Sequence, residues 1–192
     1  YYYIATILYD GTLNQGDFNN ITLSHSGTAN TNQGWNFVGN PYPSAINWDL
    51  TANQVGFTGG NIEGAIYYYE DDGGVGDQAN YQYYVPAVPG TGGLGLGTGG
   101  ASSHIPLGQG FFVRTTVDGA TFNIRNDDRA HSNNDFYKKN EQHANIMRMF
   151  IKGNSYEDEM IIRLLPNATE NFDGYYDARK LFPVSEAIPM LY

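Results

Sequence analysis

The chain has 192 residues, 20 acidic against 10 basic side chains, a formal net charge of −10 and no cysteine. Thiol catalysis and thiolate metal sites are therefore excluded within it. With no cationic cluster beyond Lys138-Lys139, nucleic acid and anionic membrane are poor partners, because phosphate recognition needs clustered positive charge.

The length supports a core without disulfides, and 24 glycines with only 16% charged residues fit a turn-rich, exported β-protein. No run approaches the roughly 20 apolar residues of a membrane helix, so membrane insertion is not expected. The chain opens on Tyr1-Tyr2-Tyr3 rather than Met and is read as a piece of a longer precursor.

In chain order, Tyr2 to Leu8 is an apolar and aromatic strand ended by Asp10-Gly11. Asn19 to Ser24 alternates Ile21 and Leu23 with polar neighbours, the pattern of a half-buried strand. Trp35 to Val38 is a third strand, closed by Gly39-Asn40-Pro41, and Ser44 to Leu50 reads as one helical turn capped by Ser44. Ala65 to Glu70 and Tyr81 to Val85 are strands flanking an acidic, glycine-containing loop. Pro86 to Ser103 is glycine-rich and nearly uncharged, a loop whose side chains cannot fix its conformation. Phe111 to Thr116 and Thr121 to Arg125 form a hairpin turning at Asp118-Gly119, with Gly110 read as a strand-entry glycine of positive φ.

Asn126 to Gln142 is polar and reads as a linker or crossover; Ile146 to Lys152 and Met160 to Leu165 are further strands. Thr169 to Lys180 is loop-like, and a last strand begins near Ile188. Many short strands with frequent turns predict an all-β chain. The expected organisation is a jelly-roll-like antiparallel β-sandwich over 1–129, a polar linker or crossover over 130–143, and a partial second β-sandwich unit over 144–192.

Candidate binding chemistry lies in the aromatics. Trp35, Tyr42, Trp48, Tyr68 and Tyr83 are the candidate ligand-binding residues, because Trp and Tyr rings stack on the apolar C–H faces of sugars. Two readings stand for the Asn40-Pro41-Tyr42-Pro43 turn: a rigid rim presenting Tyr42 and Trp48, or an aromatic plug at the end of the sandwich. Strand alternation puts Ile66 and Tyr68 on one face and Tyr67 and Tyr69 on the other, so one set must be core.

Asp71, Asp72 and Asp77 are the candidate calcium ligands; glycines let carbonyls turn inward, but the spacing is not that of an EF-hand. Asp127, Asp128 and Asp135 are a second acidic group, with a solvated loop as the alternative in both places. His25, His104, His131 and His143 have no zinc spacing, no nucleophile elbow is present, and no carboxylate pair stands out for glycoside hydrolysis. No other cofactor is expected. The charges of Phe172 to Lys180 are read as pinning that loop to the sandwich rather than as a ligand loop.

The combination of Gly11-Thr12-Leu13-Asn14-Gln15-Gly16, the block Gly34 to Ser44 (Gly-Trp-Asn-Phe-Val-Gly-Asn-Pro-Tyr-Pro-Ser), Ala65 to Tyr69, the block Gly108 to Val113 (Gly-Gln-Gly-Phe-Phe-Val) and Tyr176 to Lys180 resembles a β-sandwich module of Bacteroidota secreted and cell-surface proteins exported by type IX secretion. That resemblance covers most of residues 5–182. It implies an extracellular or outer-surface location in a Gram-negative bacterium, and a C-terminal sorting domain, outside this chain, for the secretion machinery. It supplies no catalytic motif. The leading expectation is a non-catalytic module for adhesion or scaffolding, with glycans or other surface proteins as partners. A carbohydrate-binding module and an accessory domain of a secreted hydrolase are the alternatives.

Overall fold

The computed structural model describes residues 10–26, 33–71, 79–87, 95–131, 145–154, 156–166, 168–182 and 189–192. The expected strand from Tyr2 to Leu8, most of the 130–143 linker and the onset near Ile188 lie outside the described residues.

The chain is all-β and sandwich-like, built from several open antiparallel sheets. The central sheet has five strands in the order β2 (Trp35–Gly39), β8 (Gly110–Arg114), β4 (Ile66–Asp71), β5 (Ala79–Val85) and β6 (Leu96–Gly97). Facing it are two smaller sheets. One pairs β1 (Phe18–Thr22) with β9 (Thr121–Ile124); the other orders β10 (Arg129–Ala130), β3 (Ala45–Asn47) and β7 (His104–Ile105). A separate hairpin joins β11 (Ile146–Gly153) to β12 (Tyr156–Arg163).

The two signature blocks of the sequence are direct partners in the central sheet. β2 and β8 run antiparallel with Trp35 opposite Arg114, Phe37 opposite Phe112 and Gly39 opposite Gly110. Beyond the ladder, the Asn40 amide donates to the carbonyls of Ser44 at 2.8 Å, Ile105 at 3.1 Å and Pro106 at 3.0 Å, and its oxygen accepts from the Tyr42 amide. A buried Asn thus ties the Pro-rich turn of one block to the entry of the other, satisfying backbone groups that the prolines leave outside any ladder.

The core follows from strand alternation. Phe111, Val113, Ile66, Tyr68 and Tyr84 point inward from the central sheet and join Ile46, Ile105, Phe122 and Ile124 of the facing sheets. Trp48 sits at the centre, edge-on to Phe57, Phe111 and Phe122 at ring separations of 5.4, 5.4 and 6.1 Å. Its indole N–H donates to the Gly64 carbonyl at 2.8 Å, so the one polar atom of the ring is satisfied inside the core.

Five local expectations need correction. Phe111 to Thr116 and Thr121 to Arg125 do not pair as a hairpin: β8 pairs with β2 and β4 in the central sheet, and β9 crosses to pair with β1 in a facing sheet. Within the glycine-rich segment Pro86 to Ser103, Leu96–Gly97 is strand paired with β5, and the Thr98 hydroxyl oxygen accepts from the Tyr83 amide at 3.0 Å. The helical turn α1 runs from Trp48 to Thr51 and is capped by Asn47, whose side chain accepts from the Asp49 amide, while Ser44 precedes a strand. The start of the expected linker is ordered: Asn126–Asp128 is a 3-10 turn and Arg129–Ala130 joins a sheet. The positive φ assigned to Gly110 belongs to Gly108, at 72°. Gly110 is instead a strand residue covered by a ring, since a Cβ there would lie 2.1 Å from Phe37 Cζ.

That geometry separates two glycines. Gly34 has a φ of +81°, and a Cβ would stand 2.1 Å from the Thr115 carbonyl oxygen, an atom of the backbone. Gly34→Ala is expected to cost more than about 2 kcal/mol. Gly110→Ala meets only the mobile end of an exposed Phe37 and is expected to cost less than about 1 kcal/mol. Urea unfolding of both variants checks the contrast; equal losses would contradict it.

Candidate functional site

The outer face of the central sheet carries a continuous row of aromatics. Register places Phe37 opposite Phe112, Phe112 opposite Tyr67 and Tyr67 opposite Tyr83, so four rings from four strands share one row and one face. In the next row Tyr69 stands opposite Tyr81. Neighbouring rings are close: Phe37 and Phe112 at 4.9 Å, Tyr69 and Tyr81 at 5.5 Å, Tyr81 and Phe112 at 6.5 Å.

The row is divided into a covered and an open half. Over Tyr67 and Tyr83 lie the C-terminal segment and the β11–β12 hairpin. The Arg179 amide donates to the Tyr67 hydroxyl at 2.6 Å. Arg148 donates to the Gly97 carbonyl at 3.2 Å, and the Gly99 amide to Glu159 at 3.1 Å, clamping the hairpin to the sheet edge. The open half holds Phe37, 68% exposed, and Tyr69, 50% exposed, with Phe112 and Tyr81 half-buried between them.

A buried charge node fixes the covered half. Glu63 is 2% exposed and pairs with Arg114 from β8. Its carboxylate also accepts from Arg179 Nε at 2.9 and 3.0 Å. The Arg179 guanidinium stacks over the Phe172 ring at 4.3 Å. Lys180 pairs with the buried Asp158 of β12 at 2.5 Å. Arg179 therefore pins this loop beside the central sheet and Lys180 pins it to the β11–β12 hairpin, as their sequence reading expects, whereas Asp173 and Asp177 bond within the loop's own turn.

Most of the aromatics selected from sequence occupy the interior. Trp48, Tyr42 and Tyr68 are core residues, so their rings have no face for a sugar. Tyr42 is the plug of its turn, with its hydroxyl 2.6 Å from the Gly16 carbonyl and 3.0 Å from that of Ile124. Both prolyl bonds of that turn are trans. Trp35 is half-buried edge-on to Tyr67 at 4.8 Å. Tyr83 is half-buried and shares the outer row. The structure brings Trp35, Tyr67 and Tyr83 together and leaves Tyr42, Trp48 and Tyr68 on the other side of the sheet.

Phe37 and Phe112 escaped the sequence reading. The signal was present: period-2 alternation puts Phe37 on the face of Trp35, and adjacent Phe111 and Phe112 must face opposite ways.

Of the calcium candidates, Asp72 and Asp77 lie outside the described residues, and Asp71 ends β4 opposite Ala79. Asp128, in the second acidic group, accepts from the Arg125 backbone amide at 2.9 Å, the Arg125 guanidinium at 3.1 Å and the Thr51 hydroxyl at 3.0 Å. Its oxygens are committed to capping. Asp135 lies outside the described residues. Among those residues no three His, Asp or Glu converge on a metal position, and no helix is long and apolar enough to cross a membrane.

Desolvation governs the electrostatics of the tyrosines. Burial pushes the Tyr83 hydroxyl up to about 12, with the nearby Glu159 carboxylate adding to the effect. Burial alone raises Tyr68 further, and burial, against a hydrogen bond from Arg179, raises Tyr67. These hydroxyls stay protonated in the folded chain where an unfolded tyrosine ionises, near about pH 10. Their contribution to stability is complete below that value and is lost as the pH rises through the folded-state values.

A family model described as a domain of unknown function (DUF8693) matches residues 3–188, and the chain belongs to that family. No curated protein and no solved structure matches the chain.

Two outcomes are expected. Glu63→Ala strands two arginines against a buried surface and should cost about 3–5 kcal/mol in urea unfolding; a loss no larger than that of an exposed charge would contradict the node. The urea midpoint should also fall between about pH 10 and pH 12, and Tyr68→Phe should lessen that fall. A midpoint independent of pH in this window would contradict the burial argument.

Proposed function

We propose that this member of a family of unknown function is a non-catalytic module of a secreted or surface-anchored bacterial protein, serving adhesion or as a scaffold. The open half of the aromatic face is its contact surface. The observation that carries this reading is the cluster of Phe37, Phe112, Tyr69 and Tyr81 on one side of a rigid sheet. Exposed aromatics gathered in one patch are the usual currency of protein contacts, because each ring offers large apolar area at little conformational cost.

Ring geometry narrows the partner. A platform for the flat face of a polysaccharide needs rings side by side in one plane. Here neighbouring rings meet at 54°, 73° and 68°, presenting edges as well as faces. That relief suits the uneven side chains of a protein surface, and the net charge of −10 favours a partner with a basic rim.

The non-catalytic part of the reading draws support from the buried carboxylates. Glu63, Asp128 and Asp158 are each held by an Arg or Lys, which suits structural roles rather than proton transfer. Export by type IX secretion and a place on the outer cell surface draw support from the motif resemblance, together with the low charge content.

Beads coated with the chain are expected to adhere to protein-coated surfaces. The double variant Phe37→Ser, Tyr69→Ser should lose most of that adhesion at nearly unchanged melting temperature, since both side chains already stand at least half in water. Equal adhesion by the folded double variant would sink the proposal.

A further inference from the structure

Beyond the covered half of the aromatic row, a cleft of about 540 Å³ opens between the β5–β6 edge, β12 and the C-terminal segment. Its volume falls in the range of roughly 300–1,000 Å³ typical of small-molecule sites. Val85, Leu96 and Ile161 give it an apolar floor, and Tyr83 and Tyr176 supply rings. Tyr176 is 43% exposed, so its ring is accessible.

The rim is mixed in sign. Arg163 brings N–H donors, Asp173 and Asp177 bring acceptors, and Thr169, whose hydroxyl donates to the Asn171 carbonyl at 3.0 Å, brings a further acceptor oxygen. The aspartates are positioned by their own turn: Asp173 accepts from the Tyr175 amide at 3.0 Å, and Asp177 from the Asp173 amide at 2.7 Å. Each uses one oxygen in these bonds and keeps the second outside them. The walls are held together by the ion pairs already described, so the cleft is built by the fold rather than by a single loop.

This combination selects by charge. An anion would meet two carboxylates, at a cost that the single arginine only partly offsets. A neutral ligand rich in hydroxyls can donate to the aspartates and accept from the arginine. If it also has apolar C–H faces, it can lie on the tyrosine ring and the aliphatic floor. We infer that the cleft binds a neutral saccharide, as a free sugar or the end of a glycan. This site is separate from the open aromatic face and does not depend on it.

Amide-resolved NMR titration of the whole chain tests the inference with glucose, galactose, mannose, N-acetylglucosamine, lactose and cellobiose as probes. Glucuronate serves as the charged control. At least one neutral sugar should shift amides clustered at Val85, Leu96, Ile161 and Tyr176, and glucuronate should bind at least tenfold more weakly. Tyr176→Ala should weaken binding about tenfold, equivalent to about 1.4 kcal/mol. Ala168→Trp, at an exposed position on the cleft wall, should block it. No shifts with any neutral probe, shifts falling on Phe37 to Tyr81 instead, or full affinity in folded Tyr176→Ala would each overturn the inference. Bead adhesion reads the other face, so failure of either proposal is visible without the other.

Discussion

Glu63 is the constraint on which the outer half of the molecule depends. Its carboxylate is taken out of water between Arg114 of the central sheet and Arg179 of the C-terminal segment, so the three groups must stay together once the core forms. The backbone on either side is used equally fully. The Glu63 amide donates to the Arg114 carbonyl at 2.8 Å, and the Gly64 amide to the Gly174 carbonyl at 2.7 Å. The Gly64 carbonyl accepts from the Trp48 indole. Core aromatic, central sheet and C-terminal segment therefore meet at two consecutive residues. A buried ion pair adds little net stability, but removing one partner is costly, so such a node specifies arrangement more than it strengthens it.

The central sheet then has two faces with different fates. On the inner face, alternate residues of β4, β5 and β8 build a dry core around Trp48. On the outer face, alternate residues of the same strands build the aromatic row, and the C-terminal segment covers only part of it. Rings left in water thus stand beside covered rings on one face of one sheet. Within the open half Phe37 lies tilted against Phe112, and Phe112 meets Tyr81 edge-on.

The β11–β12 hairpin illustrates a related principle. Two strands alone are marginally stable in water. Here Arg148, Glu159, Arg163 and Ile161 share one face by register. Arg148 and Glu159 of that face bond to the β6 edge, and Ile161 and Arg163 line the cleft. The opposite face carries Met147, Ile162 and Asp158. Asp158 is tied there to Lys180 and to the Leu191 amide at 2.7 Å. The hairpin is thus anchored by charge and backbone bonds on both sides, and the cleft is the space left where polar clamps rather than packed side chains span the gap.

Much of this was legible one residue at a time. Glycine, proline and asparagine marked the turns, period-2 patterns marked the strands, and the missing cysteines and low charge bounded the chemistry; all of these act through local backbone preference or composition. The pairing of the Asn-Pro-Tyr-Pro-Ser and Gly-Gln-Gly-Phe-Phe blocks was visible only as a co-occurrence, because register is set by contacts across more than 60 residues of chain. Alternation established that Tyr67 and Tyr68 face opposite ways, yet it is symmetric and cannot say which face meets the second layer. Tertiary packing decided that Trp48, Tyr42 and Tyr68 are interior and that Phe37 and Tyr69 remain in water. It also decided that Glu63, an unremarkable residue in the sequence, meets Arg114 and Arg179, since bringing together charges that distant in the chain requires the whole fold to form first.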